Sequence, residues 1–268
     1  MSPPKLPEIG DGWRVYPSDP ELLQWLETAG PAAEAALCDP AHAAWLRHGG
    51  TWFAGVDVLP NDPLGRIGAG PALNCEALRD ASAALGLSDG RSQTLPLHRG
   101  QVSVAWPGYP KHDGRETAAA HRYRRHRDAA HLDGLLPVGP ERRRMLREPH
   151  AWILGLPLSP MRQGQAPLVV WAGSQEVLRN AIRQALAPHP PEIWDQVDVT
   201  DAYKAARRRI FETCARIEIR AEPGQAILLH RLILHGIAPW DGPTGAPRSV
   251  IYFRPVLPGG IADWLALP

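Results

Sequence analysis

Cysteine is scarce in this chain. Cys38, Cys75 and Cys214 are far apart and odd in number. They offer neither a disulfide framework nor a CxxC pair, so a reducing, cytoplasmic setting is the expectation. An excess of charge of one sign is also lacking. Lys and Arg number 29 against 28 Asp and Glu, for a net charge of +1, which argues against a dedicated nucleic-acid binder. No apolar run approaches the ~18 residues of a membrane span. The stretch Met1–Gly10 is polar and Pro-rich, without the apolar core of a secretory signal. Phenylalanine is down to three while tryptophan reaches ten, an imbalance that names no function by itself.

What the chain has in quantity is proline (29) and glycine (25) among 268 residues. They are scattered between hydrophobic runs, which excludes collagen and disorder and favours short strands and loops over a long-helix bundle. A hydrophobic content of 44% is ordinary for a globular protein, and the length suits one domain, residues 1–268, without staples. Residues 1–95 read as a mostly helical packing region. Ser18-Asp19-Pro20-Glu21 is a helix start followed by Leu22, Leu23, Trp25 and Leu26, and short helical pieces are expected over 32–37 and 41–46. Thr51–Val58 reads as a strand and 73–85 as a further helix. From Gln101 on, short strands are expected at 101–106, 152–158, 168–171, 216–220, 226–229 and 249–253, with helices over 174–186 and 202–213. The expected class is mainly β with a helical N-terminal part (α+β), an antiparallel sandwich or barrel with helices on one side. The basic run His121–Arg127 and the cluster Arg142–Arg144 read as solvated surface, with an anionic-substrate rim as the other reading.

Among eleven histidines, one pair stands out by context: His131-Leu132-Asp133-Gly134. In extended chain, residues i and i+2 face the same side about 6.6 Å apart, so one metal ion can bridge the imidazole and the carboxylate. A second HxD, His126-Arg127-Asp128, lies inside the basic run and is the weaker candidate. A third ligand is available in Glu222–Gly236, which reads as a turn, an apolar strand and a His235-Gly236 pair at its end. Arg248 then opens the next strand. His230 is a rival to His235, and Arg254 a rival to Arg248. Two histidines and one carboxylate on one face of a metal leave three positions open, which is the ligand set of non-heme Fe(II) oxygenases. An Arg supplies a planar, permanently charged fork for a carboxylate.

This order resembles the Fe(II)/2-oxoglutarate-dependent oxygenases, and within them the phytanoyl-CoA dioxygenase family. The resemblance rests on HLDG at 131–134, on Ala166-Pro167-Leu168-Val169-Val170-Trp171-Ala172-Gly173-Ser174, and on Gly224–Gly236 followed by Arg248. It covers roughly residues 100–255. Ala172, Gln175 and Ile237 stand where the family often has Pro, His, and Ser or Thr. The resemblance implies a double-stranded β-helix (jelly roll) flanked by helices, with its core over residues 96–258. It implies iron held by His131, Asp133 and His235, and 2-oxoglutarate as co-substrate with Arg248 on its distal carboxylate. Gln101 and Ser103 are candidates to line the co-substrate side. The implied reaction consumes O2, releases succinate and CO2 and hydroxylates a small molecule. Related halogenases replace the carboxylate ligand by a small residue, so Asp133 favours hydroxylation. The alternatives are a zinc-dependent hydrolase or other cupin-type metalloenzyme using the same ligands, and a non-catalytic jelly-roll binding protein. Arg122, Arg124, Arg125 and Arg127, just before the ligands, hint at an anionic substrate, and the sequence leaves the oligomeric state open.

Overall fold

The computed structural model describes residues 10–86 and 95–267, so most of the Met1–Gly10 stretch lies outside the described residues. Among the described residues twelve strands form in chain order: β1 (Trp13–Tyr16), β2 (Leu46–Arg47), β3 (Trp52–Phe53), β4 (Gln101–Ala105), β5 (Leu135–Val138), β6 (Arg143–Leu146), β7 (Trp152–Pro157), β8 (Leu168–Trp171), β9 (Arg216–Glu218), β10 (Ala226–His230), β11 (His235–Ile237) and β12 (Arg248–Phe253). Six α-helices accompany them: α1 (Pro20–Cys38), α2 (Glu76–Ala84), α3 (Ala118–His126), α4 (Ser174–Leu186), α5 (Thr200–Thr213) and α6 (Gly260–Ala266). A seven-stranded sheet has the order β1-β10-β7-β12-β4-β3-β2, a three-stranded sheet the order β11-β8-β9, and β5-β6 form a separate hairpin. Every pairing is antiparallel.

The central strands of the large sheet, β10, β7, β12 and β4, are buried on both faces, and their side chains alternate between two cores, as the pleat requires. Ile153, Ile227, Leu229, Val250 and Tyr252 pack with Leu168 and Val170 of the small sheet in one cluster. Their neighbours Leu154, Leu228, Ile251 and Phe253 turn to the other cluster, which holds Leu22 and Trp25 of α1 and Ala77, Leu78 and Ala81 of α2. The fold is therefore a mixed α and β assembly in which the large antiparallel sheet is covered by a smaller sheet on one side and helices on the other.

The N-terminal stretch does more than supply helices, because β1, β2 and β3 extend the large sheet at both edges. The expected strand 51–58 shrinks to Trp52–Phe53, and Asp57 with φ 55° belongs to a turn instead. The separate helix expected over 32–37 is the second half of α1, which runs through Pro31. Leu22, Trp25, Ala29, Ala33 and Ala36 form one buried stripe across that proline, so packing of the whole face overrides the lost N–H. Asp19 caps α1 by accepting from the Glu21 N–H at 2.9 Å. The basic run folds as α3, capped by Thr117 and without a buried residue. No helix among the described residues is long and apolar enough to cross a membrane.

Trp25 ties this arrangement together. It is fully buried, stands edge-on to Phe253 of β12 with centroids 6.1 Å apart, and donates its indole N–H to the Gly65 carbonyl at 2.7 Å. Trp25→Ala is expected to destabilise the fold by about 3–5 kcal/mol, read as a lower denaturant midpoint in equilibrium unfolding.

Candidate metal centre

Two short segments cross to build the centre. The chain reaches His131 through Asp128 and Ala129, both in the left-handed region at φ 53° and 52°. Two non-glycine residues in that conformation are strained and persist only where the surroundings hold them. Here the Asp128 carboxylate accepts from Arg216 Nε at 2.7 Å and Nη2 at 3.0 Å, and its carbonyl accepts from the Ile237 N–H at 2.8 Å. His131 and His235 then pair as an antiparallel bridge, with N–H to carbonyl distances of 2.8 and 3.1 Å. Gly236 makes the crossing possible, since a Cβ there would stand 2.1 Å from the Asp128 carbonyl oxygen. Gly134 closes the other side, with φ +89° and a would-be Cβ 2.5 Å from the Glu148 carbonyl oxygen. The segment between is pinned from α5, where Tyr203 Oη accepts from the Leu132 N–H at 3.2 Å.

His131 Nε2 lies 3.2 Å from Asp133 Oδ1, His235 Nε2 lies 3.7 Å from Asp133 Oδ2, and the imidazole centroids are 4.5 Å apart. One ligand atom from each of the three residues falls within 4.8 Å of the others, and no other such group of His, Cys, Asp or Glu occurs among the described residues. The Nδ1 of each imidazole sits 3.1 Å from the carbonyl two residues earlier, Ala129 for His131 and Ile233 for His235. A carbonyl can only accept, so Nδ1 carries the proton and Nε2 presents its lone pair to the shared space. Burial and the neighbouring His131 lower the His235 pKa to about 4, leaving that ring neutral and able to ligate at neutral pH. Burial pushes the Asp133 carboxyl pKa up, but Arg254, His235 and His131 together outweigh it and hold it well below the ordinary carboxylate range. The donor set is thus two imidazole nitrogens and one carboxylate, which fits a divalent transition metal. The His131 side chain is 51% exposed against 8% for His235, so the centre opens on the His131 side.

The centre forms part of the wall of a cavity of about 180 Å³, which is also lined by Gln101, Ser103, Ile153, Leu168, Leu229 and Tyr252. Behind Ser103 and Tyr252 lies Arg248, only 1% exposed. Its Nη2 is 3.4 Å from Ser103 Oγ, its Nη1 is 3.5 Å from Tyr252 Oη, and its Nε has no partner. Among the described residues no carboxylate pairs with it. A buried guanidinium with only two long contacts keeps donors for an anion. Arg254 is occupied: it donates to Asp133 Oδ2 at 3.1 Å and to Gln101 Oε1 at 2.6 Å. Ser103 therefore stands beside Arg248, whereas Gln101 stands beside Arg254.

The rival ligands have other work. Asp128 belongs to the Arg216 pair. The His230 ring lies against Arg179 Nη2 at 2.9 Å and accepts from the Leu232 N–H at 2.9 Å, on the far side of the strand from the centre. Of the four arginines before the ligands, Arg124 lines the cavity, paired with Glu116 at 3.2 Å. Arg125 pairs with Asp241 and Arg127 stacks over Phe211. Sequence reasoning missed Tyr252 as a wall residue and the contact of Arg254 with Asp133. Strand parity could have found both, since 248, 252 and 254 share a face. Trp52 and Tyr109, which also line the cavity, carry no local signal.

No family model matches the chain, and no curated protein matches it. Solved structures do align over most of its length. The non-heme alpha-ketoglutarate-dependent carbocyclase SnoK from nogalamycin biosynthesis is 12% identical, covering 95% of this chain and 85% of its own at a TM-score of 0.48. The alpha-ketoglutarate-dependent epimerase SnoN from the same biosynthesis is 18% identical, covering 95% and 84% at 0.45. EctD from S. alaskensis with bound Fe is 15% identical, covering 91% and 72% at 0.44. Likeness at this level assigns no activity to the chain.

Asp133→Ala is expected to abolish binding of Mn(II) or Co(II), measured by calorimetric titration. Asp128→Ala is expected to leave that affinity intact while lowering stability by about 1–3 kcal/mol through loss of the Arg216 hydrogen bonds.

Proposed function

We propose that the chain is an Fe(II)/2-oxoglutarate-dependent oxygenase of jelly-roll type, resembling the phytanoyl-CoA dioxygenase family, that hydroxylates a small molecule. The observation that carries this reading is a two-His, one-carboxylate centre on the wall of a cavity whose Ser103 and Tyr252 are backed by a buried arginine with no counter-ion among the described residues. A zinc hydrolase needs the first feature but has no use for the second.

His131, Asp133 and His235 would hold the metal through Nε2, a carboxylate oxygen and Nε2, the ligand set of non-heme Fe(II) oxygenases. Iron bound there would supply the redox chemistry that couples O2 and the decarboxylation of 2-oxoglutarate to succinate and CO2 with oxidation of a substrate C–H bond. The rest is the protein's share. The backbone carbonyls of Ala129 and Ile233 hold the protons of the two imidazoles away from the centre. Arg248 receives the distal carboxylate of 2-oxoglutarate, with the Ser103 and Tyr252 hydroxyls beside it as further donors. Burial raises the Tyr252 pKa, so that phenol keeps its proton and can donate it to an anion. Ile153, Leu168 and Leu229 give the cavity apolar walls, which strengthen the grip on the carboxylate by excluding water. The open side at His131 is where a substrate meets the centre.

With Fe(II), ascorbate and O2, the protein is expected to release succinate slowly from 2-oxoglutarate alone and faster with its substrate. Arg248→Lys keeps the charge and loses the fork. It should raise the KM for 2-oxoglutarate roughly ten- to a hundredfold, as for a charge-assisted hydrogen bond of ~1.5–3 kcal/mol. Zinc should inhibit, having no redox change to offer. Zinc-dependent hydrolysis of esters or amides that ignores 2-oxoglutarate would overturn the reading.

A further inference from the structure

We propose that Arg254 is the positioning residue for the carboxylate of the metal centre, and that Gln101 holds Arg254 in place for that task. The inference rests on the metal-centre reading above. Of the three ligand side chains, each imidazole is fixed by its own backbone carbonyl. Asp133 has no such tether, because a carboxylate can only accept. Its fixed donor is Arg254, whose Nη1 meets Oδ2 at 3.1 Å. The opposite corner of the guanidinium, Nη2, donates to Gln101 Oε1 at 2.6 Å, and Gln101 Nε2 donates on to the Ala54 carbonyl at 3.1 Å. Asp133, Arg254 and Gln101 thus form a chain of hydrogen bonds that ends on backbone.

Chemistry gives this chain a purpose. An ionised carboxylate has about four lone-pair sites, so Oδ2 can stay on Arg254 while Oδ1, which faces His131 Nε2 at 3.2 Å, serves the metal. With Oδ2 committed, Asp133 binds through one oxygen and leaves a coordination position free. A planar, two-cornered donor is required, since a lysine ammonium is a point charge and cannot span Asp133 and Gln101 in fixed geometry. The charge of Arg254 by itself opposes a nearby metal cation. Orientation and repulsion therefore predict opposite signs when the residue is removed.

The test measures Mn(II) affinity and the Co(II) absorption spectrum of the wild-type protein and of Arg254→Met, Arg254→Lys and Gln101→Leu, together with the unfolding midpoint of each metal-free form. Arg254→Met should weaken Mn(II) binding about 10–100-fold, the usual effect of losing such a partner, and change the Co(II) spectrum as Asp133 becomes free to bind through both oxygens. Gln101→Leu should act in the same direction but less. Arg254→Lys should fail to restore the wild-type spectrum. Unchanged or tighter Mn(II) binding in a folded Arg254→Met protein would overturn the proposal while leaving the centre intact. Should Arg254→Met fail to fold, Gln101→Leu decides alone, and wild-type affinity and spectrum there would overturn it. Absence of Mn(II) and Co(II) binding by the wild-type protein would overturn the metal-centre reading itself, and this inference with it.

Discussion

The antiparallel bridge between His131 and His235 is the contact on which the rest of the site depends. It is two backbone hydrogen bonds long, yet it brings side chains a hundred positions apart in sequence to a centroid distance of 4.5 Å. Backbone pairing fixes both Cα positions, and the carbonyls two residues before each histidine fix both rings. The bridge exists because Gly236 lets the Asp128–Ala130 backbone approach where any side chain would collide. Beside it the buried Asp128 carboxylate pairs with the exposed Arg216 guanidinium, a contact that adds stability without touching the centre.

The second constraint is the double burial of the large sheet's central strands. Strand β12 carries Val250 and Tyr252 into one core and Ile251 and Phe253 into the other. Arg248, which pairs with Ala105 of β4, and Arg254, just past the end of β12, share one parity. The two arginines are therefore divided by position. Arg254 reaches Asp133, while Arg248 stays at the far end of the strand with two long contacts and an unpartnered Nε. A buried cation left so poorly satisfied costs stability, and a ligand carboxylate offsets that cost only when bound.

Much of the core was legible because period-two alternation and Gly/Pro punctuation mark short strands, as at 152–157, 168–171 and 226–230. The candidate triad could be picked out because HxD and His-Gly are compact local patterns, although His131 and Asp133 fall in a bridge and a turn rather than a strand and His235 opens β11 instead of ending β10; Arg248 does open the next strand. Less legible was anything that tertiary packing decides. A strand reads at 51–58, but its shortening to Trp52–Phe53 and its pairing with β4, fifty residues away in sequence, are set by the tertiary fold. Helix α3 has no apolar stripe to mark it as a helix. The piece expected over 32–37 is joined to α1 by a buried face that continues across Pro31. The contact of Arg254 with Asp133 spans 121 positions, so only the shared parity of residues 248 and 254 pointed toward it.

In the proposed site the triad and Arg248 hold the two ends of one ligand, 2-oxoglutarate. Calorimetric titration of 2-oxoglutarate into the protein with Mn(II) and without metal, in the absence of O2, separates the two ends. Binding to the Mn(II) form is expected, with its loss or marked weakening when metal is withheld, because one end of the ligand then has no partner. Equal affinity with and without metal, or no binding to either form, would contradict that arrangement.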